Sequence, residues 1–215
     1  MLVSRRGFWL GGLVGAVTLA IPGAYYRSSY AHAKRLRVVT PGRFYRSGQM
    51  TADGFRDAVR RFDIRTVINL QEENKDPFMP EAWMGKPRVL ESDLCKSLGI
   101  HYVSLDGGEL VPPDAAPGDR PKAIDEFLKI LDDPTSYPVL IHCKAGLHRT
   151  GLMTAIYRME YEHWTTAAAV REMRANGFGD FACTSENVYI AQFVQSYRRG
   201  IRIAAATPSG TGGRQ

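Results

Sequence analysis

The sequence is poor in cysteine. Cys95, Cys143 and Cys183 are its only three, too few and too scattered for a disulfide framework. No Cys-x-x-Cys or His-x-x-x-His spacing occurs, so the patterns that mark tetrahedral zinc sites are missing, and neither a metal nor another cofactor is expected. A strong excess of one charge is missing as well. Lys and Arg number 28 against 22 Asp and Glu, a net +6. Arg5, Arg6 and Arg27 stand in the first 33 residues without an acid beside them, so the remainder is only mildly basic. That balance, with no RNA- or DNA-binding motif, argues against a nucleic-acid partner. Repeats are absent, and the small, polar stretch 204–215 reads as a disordered tail.

Long hydrophobic runs are also missing, with one exception. Ser4-Arg5-Arg6-Gly7 precedes an uncharged stretch from Phe8 to Tyr26, and Ala31-His32-Ala33 follows as a small-x-small pattern. A basic start, an apolar middle and a small-residue site describe an export signal. The paired arginines resemble a bacterial twin-arginine signal, which would carry the domain to the periplasm. The run is also near the lower limit of about 17 residues for a membrane span, so an uncleaved anchor through residues 8–26 is the alternative. Arg27, Lys34, Arg35 and Arg37 after the run outnumber Arg5 and Arg6 before it, which by the positive-inside bias would keep an anchored domain cytoplasmic. Residues 1–33 are therefore set apart as signal or anchor, and residues 34–203 form one globular domain.

Within that domain, short apolar runs alternate with helical patterns. Strands are expected over 36–39, 44–46, 66–70, 100–105 and 139–142. Helices are expected over 51–61, 90–98, 150–163, 165–176 and 185–199, with another opening at Pro121 and burying Ile124, Phe127, Leu128 and Leu131. Thr51 can cap the first. Polar residues 71–80 and the Gly- and Pro-rich residues 106–119 read as loops. Buried strands alternating with helices imply an α/β fold with a mostly parallel central sheet flanked by helices. Cys95 and Cys183 read as small core residues, the alternative being a reversible bridge to Cys143 under oxidation.

Residues 142–151 read His-Cys-Lys-Ala-Gly-Leu-His-Arg-Thr-Gly. The apolar run Tyr137–Ile141 leads in and a helical pattern leads out, so this stretch is a turn between a buried strand and a helix. Such a turn can aim successive backbone N–H groups at one point, with the helix N-terminus adding its positive end. The same donors favour the thiolate of a cysteine at its start. Arg149 has the planar fork that grips two phosphate oxygens. Lys144 and His148 add positive character suited to an anionic substrate.

His-Cys, five residues, Arg and Thr resemble the signature of the cysteine-based phosphatases of the protein tyrosine and dual-specificity superfamily. The similarity extends over roughly residues 36–200, through Phe44-Tyr45-Arg46-Ser47-Gly48-Gln49, Val67-Ile68-Asn69-Leu70 and Ala169-Val170-Arg171-Glu172-Met173. It is similar to a compact dual-specificity-like group of bacteria, fungi and plants. Cys-Lys-Ala-Gly-x-x-Arg-Thr-Gly is similar to the tensin-type phosphoinositide phosphatases. Gly-x-His-Arg-Thr-Gly is similar to a branch linked to inositol pyrophosphates, although Leu147 stands where both groups carry lysine.

The resemblance implies a protein tyrosine phosphatase-like fold and catalysis through a phosphocysteine on Cys143. The N–H groups of Lys144, Ala145, Gly146, Leu147, His148 and Arg149 and the Arg149 guanidinium would bind the phosphoryl oxygens. Thr150 would donate its hydroxyl to the departing sulfur, and His142 would orient the loop. His148 reads equally as a substrate contact or a solvated bystander. A carboxylic acid in the loop after Leu105 would protonate the leaving oxygen; Asp106 is the first choice and Glu109 the second, with Asp114 also in the loop. Arg46 reads first as a surface residue at a strand end, the alternative being a residue that supports the loop or contacts the substrate. The expected substrate is a phosphorylated protein, the alternative an inositol phosphate or phosphoinositide, and the expected state is a monomer. A phospho-binding module without turnover would lack the cysteine or the arginine, and both are here.

Overall fold

The computed structural model describes residues 5–71, 78–80, 88–105, 120–179 and 188–202. Helix α1 spans Arg5–Tyr26 and continues as a wider π-helical stretch, Arg27–His32. The uncharged stretch Trp9–Tyr26 is long and apolar enough to cross a membrane and none of it is buried. Trp9, Leu10, Leu13 and Leu19 all face out, so this helix is no part of the core.

The domain is built on a five-stranded sheet in the order β1-β2-β7-β3-β6. Its strands are β1 (Arg37–Thr40), β2 (Phe44–Gly48), β3 (Thr66–Asn69), β6 (His101–Ser104) and β7 (Val139–Cys143). Only β1 runs antiparallel to its neighbour; β2, β7, β3 and β6 are mutually parallel. Every residue of β2, β3 and β7 is buried. That explains the apolar runs Val67-Ile68 and Val139-Leu140-Ile141, since a strand covered on both faces has no solvent side to mark by alternation. The α/β, mostly parallel expectation holds.

Alternation along the strands divides the core in two. Phe44, Ile68, Val139 and Ile141 join one cluster, and Tyr45, Val67 and Leu140 join the other. The first face is covered by α4 (Lys122–Asp132), α5 (His148–Tyr161), α6 (Thr166–Ala175) and α7 (Val188–Ser196). Phe44 stacks on Tyr157 with ring centroids 4.1 Å apart and meets Phe127 edge-on at 6.2 Å. The second face is covered by α2 (Ala52–Phe62) and α3 (Glu91–Ser97). Thr51 caps α2 as expected, its Oγ1 accepting from the Gly54 N–H at 3.1 Å.

The last strand in sequence, β7, is inserted between β2 and β3. Chain crossings therefore reverse direction there, and in open parallel sheets the crevice beyond the carboxyl ends of the strands at such a reversal is where ligands bind.

Two expectations change. Residues 71–80 were expected to be loop throughout, yet β4 (Phe78–Pro80) pairs antiparallel with β5 (Arg88–Leu90). Three-residue strands are too short to display a period of two, and Pro80 fits a ribbon with open edges. Helix α5 begins at His148, two residues earlier than expected, with the Gly151 N–H donating to the Leu147 carbonyl at 2.9 Å. The apolar pattern starts only at Leu152, so His148, Arg149 and Thr150 read as loop although they form the first turn. Cys183 and the tail 204–215 lie outside the described residues.

Candidate active site

Cys143 is the last residue of β7, paired in register with Gly48 of β2. His142 pairs with Asn69 of β3. From there residues 144–147 turn the chain into α5. What shapes this turn is visible in its carbonyls. The Lys144 carbonyl accepts from the Gln49 N–H at 3.2 Å, the Ala145 carbonyl from Arg35 Nη1 at 2.9 Å and the Gly146 carbonyl from Arg46 Nη2 at 2.8 Å. Three consecutive carbonyls are thus held outward. In a planar trans peptide the next residue's N–H points the opposite way, so the amides of Ala145, Gly146 and Leu147 are turned to the concave side. The Gly146 N–H reaches Cys143 Sγ at 3.3 Å.

Gly146 is required twice over. Its φ is +73°, and a Cβ there would lie 2.5 Å from the Gly48 nitrogen and 2.6 Å from the Ser47 oxygen. Both are backbone atoms that cannot swing aside. An αL residue within such a run produces the concave array of N–H groups that binds anions.

The far side of the loop is tied to β3. The Leu70 N–H donates to the His142 carbonyl at 2.9 Å, and Arg149 Nη1 donates to the Leu70 carbonyl at 3.1 Å. This bond sets the direction of the guanidinium from the first turn of α5. Thr150 is fully buried, and its Oγ1 has no hydrogen-bond partner among the described residues. His148 is half-buried with its ring edge-on to Phe178 at 5.8 Å. Burial, then the Arg149 charge, holds its imidazole below the usual histidine range. Lys144 is exposed and Leu147 is buried.

Beneath the loop lies a buried polar chain that sequence reasoning left unrecognised. His142 Nε2 stands 2.7 Å from Glu91 Oε1, both side chains 2% exposed. Asn69 Nδ2 donates to Glu91 Oε2 at 2.8 Å and to the Tyr102 hydroxyl at 3.1 Å. The expectation that His142 is buried holds, and Glu91, the first residue of α3, stands against its ring. Nothing in the local pattern separates Glu91 from an ordinary carboxylate in the first turn of a helix; only the packing of α3 beside the sheet, which brings it to Asn69 and His142, does.

Arg46 corrects an expectation. The surface reading fails, since Arg46 is 3% exposed, and its bond to the Gly146 carbonyl fits the alternative of a residue that supports the loop. Burial pushes its guanidinium down to about 10, against the opposing pull of Glu172. Its place inside a wholly buried strand was the available signal. Cys95, expected in the core, is fully buried, but it sits in the cluster on the opposite face from Cys143.

Asp106, Glu109 and Asp114 lie outside the described residues. Leu105 closes β6 with its N–H on the Asn69 carbonyl at 2.9 Å. Ser104, Asn69 and His142 are in register across three parallel strands, so the chain leaves β6 at the same sheet end as the cradle, about 10 Å away by strand spacing. No cluster of three or more His, Cys, Asp or Glu that could hold a metal occurs among the described residues.

A parallel sheet whose central strand ends in cysteine, on an anion-cradling turn ahead of a helix, defines the cysteine-based phosphatases of the protein tyrosine and dual-specificity type. Residues 28–189 match the family described as a DSP-PTPase phosphatase fused to NAD+ kinase, and the chain belongs to that family. The dual specificity protein phosphatase TpbA of Pseudomonas aeruginosa is 29% identical over 176 residues, covering 80% of this chain and 69% of that protein. The inositol diphosphatase DSP3 of Arabidopsis thaliana is 30% identical over 132 residues, covering 61% of this chain and 57% of that protein. In fold the chain is similar to the core catalytic domain of the PP-IP phosphatase SIW14 from S. cerevisiae, with TM-score 0.54, 20% identity, and coverage of 79% of this chain and 89% of that one. The chain is a cysteine-dependent phosphatase of the dual-specificity type, a phosphomonoester hydrolase.

Proposed function

We propose that Cys143 attacks the phosphorus of a phosphorylated protein side chain, at phosphotyrosine and at phosphoserine or phosphothreonine. The observation that carries this reading is the trio of outward-held carbonyls at Lys144, Ala145 and Gly146, which turns the amides toward the sulfur. Attack in line forms a sulfur–phosphorus bond as the ester oxygen leaves with its electron pair, and water then hydrolyses the phosphocysteine. One difficult displacement becomes two easier ones. The amides from Lys144 to Arg149 and the Arg149 guanidinium offset charge on the equatorial oxygens, fixed dipoles that need no rearrangement as charge develops. The buried, unpartnered Thr150 hydroxyl supports its role as donor to the sulfur when the thiolate departs.

Asp106 is proposed as the acid that protonates the leaving oxygen, because its segment leaves β6 at the cradle end of the sheet; Glu109 is the alternative. The exposed apolar α1 supports a membrane anchor or an export signal ahead of the domain, and Arg5-Arg6 supports the twin-arginine, periplasmic form of that reading. The phosphatase domain is proposed to act as a monomer.

The test is hydrolysis of p-nitrophenyl phosphate by the full chain in detergent, with a chelator and no added metal, beside Asp106→Asn and Glu109→Gln. Chelator-resistant turnover is expected, with Asp106→Asn the weaker variant by about a hundredfold. Turnover that the chelator abolishes would overturn the cysteine mechanism. A second reading, an inositol phosphate or phosphoinositide as substrate, is favoured by the exposed Lys144 and by the likeness to an inositol diphosphatase.

A further inference from the structure

The basic stretch after the apolar helix folds back onto the catalytic loop. His32 Nε2 lies 2.9 Å from Asp57 Oδ2 on α2. The His32 carbonyl rests so tightly on Gly54 that a Cβ there would come within 1.9 Å of its oxygen. From this anchor the chain passes through two consecutive left-handed residues, Lys34 (φ 36°) and Arg35 (φ 58°), a conformation uncommon for any residue with a side chain. The Lys34 carbonyl then accepts from the Gly48 N–H at 2.7 Å, and Arg35 Nη1 grips the Ala145 carbonyl. Gly48 is the register partner of Cys143. A Cβ on it would sit 2.6 Å from Lys34 Cγ and 3.0 Å from the Ala145 carbonyl, so the Lys34 stem occupies the space that a side chain would take. Glycine at this position is what lets the linker reach the loop.

The consequence is a gathering of like charge. The Lys34 stem lies over Gly48 and Arg35 holds the Ala145 carbonyl, so both flank the loop that carries the exposed Lys144. Burial, then Arg35 and Lys144, lowers the Lys34 ammonium below the usual lysine range. Two left-handed residues in succession are held here by contacts to the loop, and strained backbone of this kind clusters at ligand sites. Leu147, buried in the loop, supplies no charge of its own.

We propose that Lys34 and Arg35, with Lys144, form a second anion subsite that takes a neighbouring phosphate group of the substrate. This rests on the second reading above, an inositol phosphate or phosphoinositide substrate, and on the cradle holding the phosphate that is cleaved. The chemistry recognised is a second phosphate close to the first, carried by a soluble polyphosphorylated polyol or by a phosphoinositide headgroup.

The test compares two anions on the full-length Cys143→Ser chain in detergent, by calorimetry. Lys34→Gln is expected to weaken inositol hexakisphosphate about tenfold while inorganic phosphate changes less than about twofold, and Lys34→Arg should restore the difference. Gly54→Ala, which forces the linker off α2 without touching the loop, should reproduce the loss. Equal weakening of both anions would reduce the linker to a brace for the loop, and no weakening of either would remove the subsite; each overturns the proposal. Lys34-dependent hexakisphosphate binding without binding of inorganic phosphate would keep the subsite and sink the catalytic reading instead. A dioctanoyl phosphatidylinositol bisphosphate arm separates the sources: a larger Lys34→Gln effect on it than on hexakisphosphate assigns the headgroup, the reverse the soluble polyol.

Discussion

Cys143 and Cys95 lie on opposite faces of one sheet, and both are buried: 5% and 0% exposed. Cys95 sits inside α3 among Leu94, Ile100 and Met79. Burial, then the charge of Glu91, pushes its thiol well above the usual range. Cys143 sits at the end of β7, where the next three peptides turn their carbonyls away and the Gly146 N–H meets its sulfur. Burial is common to both, so it is not what makes a cysteine a candidate nucleophile. The direction of the surrounding backbone dipoles is.

The sharpest break of this comparison is exchange of the sulfurs themselves. Cys143→Ser is expected to lose turnover of p-nitrophenyl phosphate by about a thousandfold or more while still binding phosphate. Cys95→Ser should remain within about twofold. A folded Cys95→Ser protein as inactive as Cys143→Ser would end the distinction.

Glycines on the two faces sharpen it next. Gly146 and Gly99 both have left-handed backbone, φ +73° and +68°, but a Cβ on Gly99 meets nothing within 4 Å. Gly99→Ala should therefore cost about 1 kcal/mol, the conformational term alone. Gly146→Ala collides with the backbone of β2 and should cost about 3 kcal/mol or more. Urea unfolding of both variants measures the difference, and equal losses would mean the loop can yield.

Glu91 stands on the Cys95 face, where it acts on that thiol and also touches His142 of β7 behind the loop. Glu91→Gln keeps the shape but weakens the buried chain to His142 and Asn69, with an expected loss of about 1–3 kcal/mol in the same unfolding experiment. A neutral result would show that the charge of this carboxylate does no structural work.

The smallest effect is in pH. The folded-state value of His148 lies below its unfolded value of about 6.5. Between the two the unfolded chain binds more protons, so this contribution to stability is full above pH 6.5 and is lost as pH falls through that window. Thermal melts across pH 5–7.5 should show a slightly shallower acid loss for His148→Gln. An unchanged slope would remove His148 from the account.

How much of this was legible from residues alone follows from the range of each interaction. The turn 142–151 was legible because its chemistry is contiguous: Cys143, the amides, Arg149 and Thr150 are neighbours along the chain. Strands β3 and β7 were legible because burial on both faces puts the apolar residues Val67-Ile68 and Val139-Leu140-Ile141 next to one another. Glu91, Arg46 and Arg35 were not, since each reaches the loop across a long separation in sequence. Arg46 meets Gly146 from the neighbouring strand, and Arg35 meets Ala145 from the linker. A charge on a strand or after an apolar helix looks the same locally whether it faces water or a carbonyl. The ribbon of β4 and β5 escaped because three residues carry no readable period.

The sequence by itself determined the α/β architecture and the strand–turn–helix setting of Cys143, the proposed nucleophile, because local order and hydrophobic period encode them directly. Only the tertiary structure decided that β7 enters between β2 and β3, that a buried glutamate stands behind His142, and that Lys34 and Arg35 return to the loop. Those outcomes depend on which distant elements share one sheet end, and that is set by packing of the whole core rather than by any run of neighbouring residues.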